Sequence, residues 1–174
     1  VAIAVSQAAV EAHAKYFAAD WRLIPNGIDV REFHPDIPAP ALMRDGSPTI
    51  LFVGRFDPRN ALGTLISAFD SVQLVNPDAR LLVVGDGPLR HYYRLRARGN
   101  PRIHFTGALT AERAAHYAGA SVYACPTTRS SFGVPFLEWM AKGTPIVCSS
   151  RPVCRSLVAH DHRAVISQVG GYLA

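Results

Sequence analysis

The chain has 174 residues, of which 49% are apolar and 18% charged. This balance excludes a disordered protein and suffices for one domain with its own core, or one domain plus part of another. The formal charge of +5 favours anionic ligands such as nucleotide diphosphates, or acidic membrane surfaces, but the basic residues form no dense run and nucleic-acid binding is not expected. Cys125, Cys148 and Cys154 are odd in number and lack C-x-x-C spacing. They support neither a disulfide framework nor a zinc site and point to a reducing compartment. No apolar run is long enough to span a bilayer, and no basic n-region with an apolar h-region opens the chain.

Short β-branched runs alternate with helical patterns. A strand is predicted near Ile3–Val5, a helix over Gln7–Phe17 with Ser6 as its N-cap, and a strand over Arg22–Ile24. The turn Pro25-Asn26-Gly27 and the proline-rich stretch with Pro35, Pro38, Pro40 and Pro48 mark a boundary. Residues 1–25 read as the remnant of a neighbouring unit and residues 26–174 as the principal domain. In that domain strands are expected over Thr49–Val53, Leu81–Val84, Ile103–Phe105, Ser121–Ala124 and Pro145–Cys148. Helices are expected over Leu62–Val75, Leu89–Arg98, Ala111–Ala118, Pro135–Lys142 and Arg155–Val158. Continuous apolar strands such as ILFV and LLVV suit a sheet covered on both faces, so the expected fold is α/β, a doubly wound, Rossmann-like parallel sheet. The chain opens directly in a strand-like run and stops at GGYLA without a closing helix, so both ends read as truncated.

Ligands of such folds collect at the carboxyl ends of the strands. Gly54-Arg55-Phe56-Asp57-Pro58-Arg59-Asn60 follows ILFV directly, where a guanidinium can grip a diphosphate, although the pattern alone equally fits a surface arginine in a βα loop. Gly85-Asp86-Gly87-Pro88 begins like a dinucleotide fingerprint, but Arg90 occupies the third glycine position, so a turn is the expected role. His104 to Thr110 reads as a strand, a turn and an N-cap, able either to offer backbone groups to a flat base or simply to enter a helix. The stretch Ser130 to Ser149, SSFGVPFLEWMAKGTPIVCS, sets a glycine-bearing loop before a helix that carries Glu138. Unpaired N–H groups and the helix dipole can hold an anion there, and Glu138 is suited to accept hydrogen bonds from ribose hydroxyls. An ordinary αβ turn fits the same pattern. His160-Asp161-His162 sits in a polar turn without a third ligand, and Ser131 lacks the G-x-S-x-G elbow of a hydrolase nucleophile.

The segments VAIAVSQAAVEAHAKYF, IPNGIDVREFHP, ILFVGRFDPRNALGTLISAF, LLVVGDGP, IHFTGALT and SSFGVPFLEWMAKGTPIV, taken in order, closely resemble the GT-B glycosyltransferases of family 4, with phosphatidylinositol mannosyltransferase-like members nearest in pattern. The resemblance implies a donor-binding C-terminal half of a GT-B enzyme, preceded by the last strand and helix of the acceptor-binding domain. It implies transfer of a hexose, with retention, from a GDP-sugar or UDP-sugar to a lipid or glycan acceptor, without an essential metal. It further implies a cytoplasmic location, with peripheral association at the inner membrane face for the whole protein. By position, Gly54 and Arg55 match the diphosphate-binding motif, Leu109 and Thr110 the segment that meets the base, and Glu138 the ribose-binding glutamate that ends E-x7-E. Ser131, Phe132, Gly133 and Val134 match the loop whose N–H groups face sugar and phosphates.

Two positions depart from the pattern. Asn60 stands where the family has a lysine, and Ser130 where it has the first glutamate of E-x7-E. Arg59, next to Asn60, could partly replace the missing charge. The expectation is therefore an enzyme domain or, as the alternative, a nucleotide-sugar-binding paralogue impaired in transfer. A dinucleotide oxidoreductase is disfavoured by the broken G-x-G pattern.

Overall fold

A computed structural model describes residues 1–33, 36–109, 113–128, 133–150, 154–155 and 164–167. The first unit is a parallel pair, β1 (Ala2–Ala4) and β2 (Trp21–Leu23), joined through α1 (Gln7–His13). Ser6 caps α1 as expected, its hydroxyl accepting from Ala9 N at 3.1 Å, but the helix ends four residues before Phe17. The second unit is a six-stranded, wholly parallel sheet of β3 (Thr49–Val53), β4 (Arg80–Val84), β5 (Ile103–Gly107), β6 (Val122–Cys125), β7 (Ile146–Ser149) and β8 (Ala164–Ser167). Its order, β5-β4-β3-β6-β7-β8, is the doubly wound arrangement expected from the sequence: the chain builds outward from β3, returns, and builds outward again from β6.

Among the described residues five α-helices accompany these strands. After α1 come α2 (Leu62–Val75), α3 (Arg90–Arg96), α4 (Arg113–Gly119) and α5 (Val134–Lys142). In α2, Leu62, Ile66 and Phe69 are buried at the spacing of one helix face; with Tyr93 and Ala97 they cover one face of the sheet through Phe52, Leu81 and Val83. Each such large apolar side chain contributes about 1.5–3 kcal/mol of transfer free energy. The opposite face packs Leu51, Leu82 and Val84 against Tyr117, Phe136 and Trp139. Every residue of β4 is buried, which is why its sequence reads as an unbroken apolar run after Arg80. Arg80 itself is buried and bonds Leu42 O and Asp45. Around the proline-rich stretch Phe33 and Met43 belong to the core, and Ile28, Ile37 and Ala39 lie against it.

Strand β8 was not anticipated from the sequence, and the expected helix over Arg155–Val158 lies outside the described residues beyond the helical pair 154–155. His160-Asp161-His162 also lies outside them. From Arg90 to Arg102 the chain carries five arginines, interspersed with other residues, and no carboxylate, on and after α3.

Candidate functional site

The strand order changes direction between β3 and β6, and doubly wound folds bind ligands in the crevice at the carboxyl ends of the strands beside such a switch point. The first wall is the β3–α2 loop. Gly54 N donates to Val84 O at 3.0 Å, Phe56 N to Asp86 O at 2.9 Å and Leu89 N to Phe56 O at 3.1 Å. Backbone therefore lies directly on backbone: a Cβ at Gly85 would stand 1.9 Å from Gly54 O, and one at Gly87 2.7 Å from Phe56 N and O. The Gly85-Asp86-Gly87 pair is thus a close-packed junction that fixes the neighbouring loop.

On this platform Arg55 is exposed, and among the described residues its guanidinium has no hydrogen-bond or ion-pair partner. Arg59 differs. Its guanidinium pairs with Asp57 at 2.7 Å, and its N–H donates to the same carboxylate at 3.0 Å. The hydrogen bond from Arg59 holds the Asp57 carboxyl below its ordinary value, against burial. The charge that could have replaced a lysine at position 60 is therefore turned back on Asp57. Asn60 is engaged on both ends of its amide: Nδ2 donates to Arg55 O at 2.7 Å, and Oδ1 accepts from Thr127 Oγ1 at 3.3 Å.

The second wall begins after β6. Thr128 donates through its N–H at 2.7 Å and its hydroxyl at 2.9 Å to Arg59 O. Ser149, at the end of β7, donates to Thr127 O at 2.6 Å. Three carboxyl ends are thus laced together by hydroxyls. Sequence reading did not single out Thr127, Thr128, Ser149 or Asp57; the available signal was the place of the first three just past, or at, a strand's end and, for Asp57, the proline that follows it.

Helix α5 starts at Val134 behind Gly133, whose φ of 81° lies in the left-handed region and explains glycine at that position. No side chain among the described residues caps this end, and Pro135 in the first turn has no N–H. Val134 is 36% exposed, whereas Glu138 is only 3% exposed. Its Oε2 accepts from Tyr117 Oη at 3.2 Å, and the Tyr117 ring sits edge-on to Tyr123 with centroids 5.5 Å apart. Tyr117 is a further residue that sequence reading missed. Leu109, beyond β5, is partly buried against the same core. Thr110, Ser130, Ser131 and Phe132 lie outside the described residues.

Burial disfavours the thiolate at Cys125 and Cys148. Burial, followed by the neighbouring Cys154, pushes Cys125 up to about 12, and a hydrogen bond with Cys154 together with burial raises Cys148 as well. Both are protonated at neutral pH. Among the described residues no group of three or more His, Cys, Asp or Glu side chains is placed to hold a metal ion. No helix among them is long and apolar enough to cross a membrane.

Comparison with known proteins fits this geometry. Residues 47–171 match the family described as Glycosyl transferases group 1. The chain is 35% identical over 163 residues to the phosphatidyl-myo-inositol mannosyltransferase of Mycobacterium tuberculosis, covering 90% of this chain and 42% of that protein. It is 31% identical over 165 residues to a GDP-mannose-dependent alpha-(1-6)-phosphatidylinositol monomannoside mannosyltransferase of the same organism, covering 86% and 43% respectively. The fold superposes on Anabaena HepE, solved with UDP-glucose, with a TM-score of 0.78 at 21% identity, over 97% of this chain and 50% of that one. The chain thus spans less than half the length of these two curated relatives. The parallel sheet, its switch-point crevice and these matches together make the chain a member of the group 1 glycosyl transferases.

Proposed function

We propose that the chain binds the donor in a retaining hexosyltransferase that moves a sugar from a nucleotide diphosphate to a lipid or glycan acceptor without a metal. On this reading residues 1–25 belong to the acceptor-binding unit and residues 26–174 to the donor-binding one. The observation that carries it is the unpartnered Arg55 guanidinium on a rigid backbone platform at the switch point. Such a group can neutralise a diphosphate as it leaves, at little reorganisation cost, because the loop is already fixed. The dipole of α5 favours an anion at its N-terminus, although Pro135 has no N–H and Phe136 N already donates to Gly133 O at 2.9 Å, and Glu138 accepts from ribose hydroxyls. The relatives' names favour GDP-mannose as donor and a phosphatidylinositol-type lipid as acceptor; UDP-glucose, seen with HepE, is the other donor to test. The enzyme would work in the cytoplasm, at the inner membrane face for a lipid acceptor.

Titration calorimetry with GDP and UDP is the test. One of them should bind, and Arg55→Ala should weaken it at least about tenfold, the worth of a charge-assisted contact. Absence of binding by either nucleotide would overturn the proposal.

A second reading, a paralogue that binds the donor but transfers poorly, is favoured by the state of Asn60. Its amide is spent on Arg55 O and Thr127 Oγ1, Arg59 is neutralised by Asp57, and Ser130 brings no charge. Loss of one preorganised charge from such a site typically costs about 10²–10³ in kcat. An Asn60→Lys, Ser130→Glu double variant should then outpace the parent chain in sugar transfer; equal rates would rule out a catalytic deficit at these positions.

A further inference from the structure

The arginine run on α3 takes no part in the donor site. Tyr93 and Ala97, four residues apart, face the core, so Leu95, midway between them, projects to the opposite side of the helix. Leu95 is 56% exposed and Tyr92 50%. His91, Arg94 and Arg98 flank Leu95 on one side, and Tyr92 and Arg96 on the other. Arg90 and Arg102, at the ends of the run, pair with Asp86 and Asp78. Among the described residues Arg94, Arg96 and Arg98 have no carboxylate partner. Arg96 instead donates to Ser67 on α2 at 2.5 Å and to the Tyr92 hydroxyl at 3.3 Å.

Exposed apolar residues also occur at the C-terminus of α2. Asn100 donates to Gln73 at 2.5 Å, which brings the end of the arginine run beside the C-terminus of α2, where Leu74 is 87% and Val75 89% exposed. Asp70 is the one acid of α2. Beside α3, Arg94 lies 5.8 Å from the centroid of the Phe105 ring. Arg94, Ala97, Ile103 and Phe105 line an open concavity of about 330 Å³.

From this arrangement we infer that the α2–α3 face docks the protein onto a membrane rich in anionic phospholipid. Leu95, Tyr92, Leu74 and Val75 enter the headgroup boundary while Arg94, Arg96 and Arg98 meet lipid phosphates. Charge complementarity names an anionic partner, and the aliphatic apex selects among such partners. A nucleic-acid surface would track phosphates and stack bases, with no use for an outermost leucine and two nearly bare aliphatic residues. An interfacial helix combines the two features. The inference rests on the proposed transferase function only for its purpose, access to a lipid-borne acceptor.

The test is co-sedimentation of the full chain with phosphatidylcholine vesicles containing or lacking phosphatidylglycerol, at low and high salt, with GDP and UDP binding measured on the same samples. Binding should require phosphatidylglycerol and weaken in salt. Arg94→Ala with Arg98→Ala should reduce it about 25-fold, at about fivefold per arginine near an anionic surface. Tyr92→Ser with Leu95→Ser should lower binding and make the remainder more salt-sensitive. Lys15→Ala with Arg22→Ala, which removes equal charge elsewhere, should leave it unchanged. Near-ultraviolet circular dichroism matching the parent establishes that the variants are folded. No vesicle binding, equal loss with the control pair, or loss of oligonucleotide binding alone with the α3 arginines would each overturn the inference. Nucleotide binding without vesicle binding would sink this face alone; the reverse would sink the donor site alone.

Discussion

The two halves of the sheet close their carboxyl ends by different means. From β3 to β5 the junctions are backbone on backbone: Gly54 to Val84, Phe56 to Asp86, Gly85 to Gly107, with glycines where a side chain would collide. From β6 to β7 the closures run through hydroxyls, as Thr127, Thr128 and Ser149 reach neighbouring carbonyls. Beneath that half lies a polar interior, with Tyr117 on Glu138 and Thr144 Oγ1 donating to Tyr117 O at 3.0 Å. A backbone junction has no rotamers to exchange, so the first half forms a stiff platform for Arg55. A hydroxyl can change partner at small cost, and the second half carries the carboxylate proposed to meet the ribose. Stiffness and adaptability are thus separated across the switch point.

Gly85→Ala is expected to be the most damaging change. The added methyl would lie 1.9 Å from the Gly54 carbonyl oxygen, and no rotamer relieves a clash between two main-chain segments. The expected loss exceeds about 3 kcal/mol, or the chain fails to fold. Gly99→Ala supplies the comparison: its φ is +91° with nothing within 4 Å, so only the backbone preference is lost, about 1–2 kcal/mol. Urea unfolding of both variants measures the difference. Similar losses would mean that the junction yields and the platform is not stiff.

In the other half, Tyr117→Phe removes one donor from a carboxylate that is 3% exposed, with an expected cost of about 1–3 kcal/mol. Tyr123→Phe removes a long contact to Val53 O at 3.4 Å and a weak hydrogen bond with the Cys125 thiol, neither to a charged group, and should cost about 0.5–1 kcal/mol. If Glu138 meets the ribose, Tyr117→Phe should also weaken nucleotide binding, whereas Tyr123→Phe should not. Equal denaturation midpoints and equal affinities would show that the polar interior has no special status.

The stiff half was the more legible in sequence, and the reason is physical. Runs such as LLVV declare a strand buried on both faces, and all of β4 is buried. The glycine-rich turn after it could be located but not interpreted, because its collision partner lies some thirty residues earlier in the chain. The adaptable half depends on pairings that no local pattern encodes: Thr127 and Asn60 are 67 residues apart, and Tyr117 and Glu138 21. Strand β8 lacked a signal for another reason. Val165 is 60% and Ile166 42% exposed, as befits an edge strand, and its four residues follow a polar stretch. The Asp57–Arg59 pair was within reach of sequence reading, since aspartate before proline commonly bonds the backbone two residues on.

That pair gives the smallest and most local test of the platform. Its partner Arg59 holds the Asp57 carboxyl below its ordinary 3.8, so the folded state binds this proton less readily than the unfolded chain. The stabilisation is therefore present above about pH 4 and is lost as pH falls through the lowered folded value. Asp57→Asn should lower the thermal midpoint by a few degrees at pH 7 and should differ little from the parent at the acid end of that window. It should also free Arg59 to swing toward the crevice. If Arg59 can substitute for the lysine absent at position 60, GDP or UDP affinity will rise in Asp57→Asn despite the lost stability. Calorimetry at pH 7 decides the point: unchanged or weaker affinity means that Asp57 serves the platform alone and that its pairing with Arg59 withholds nothing from the donor.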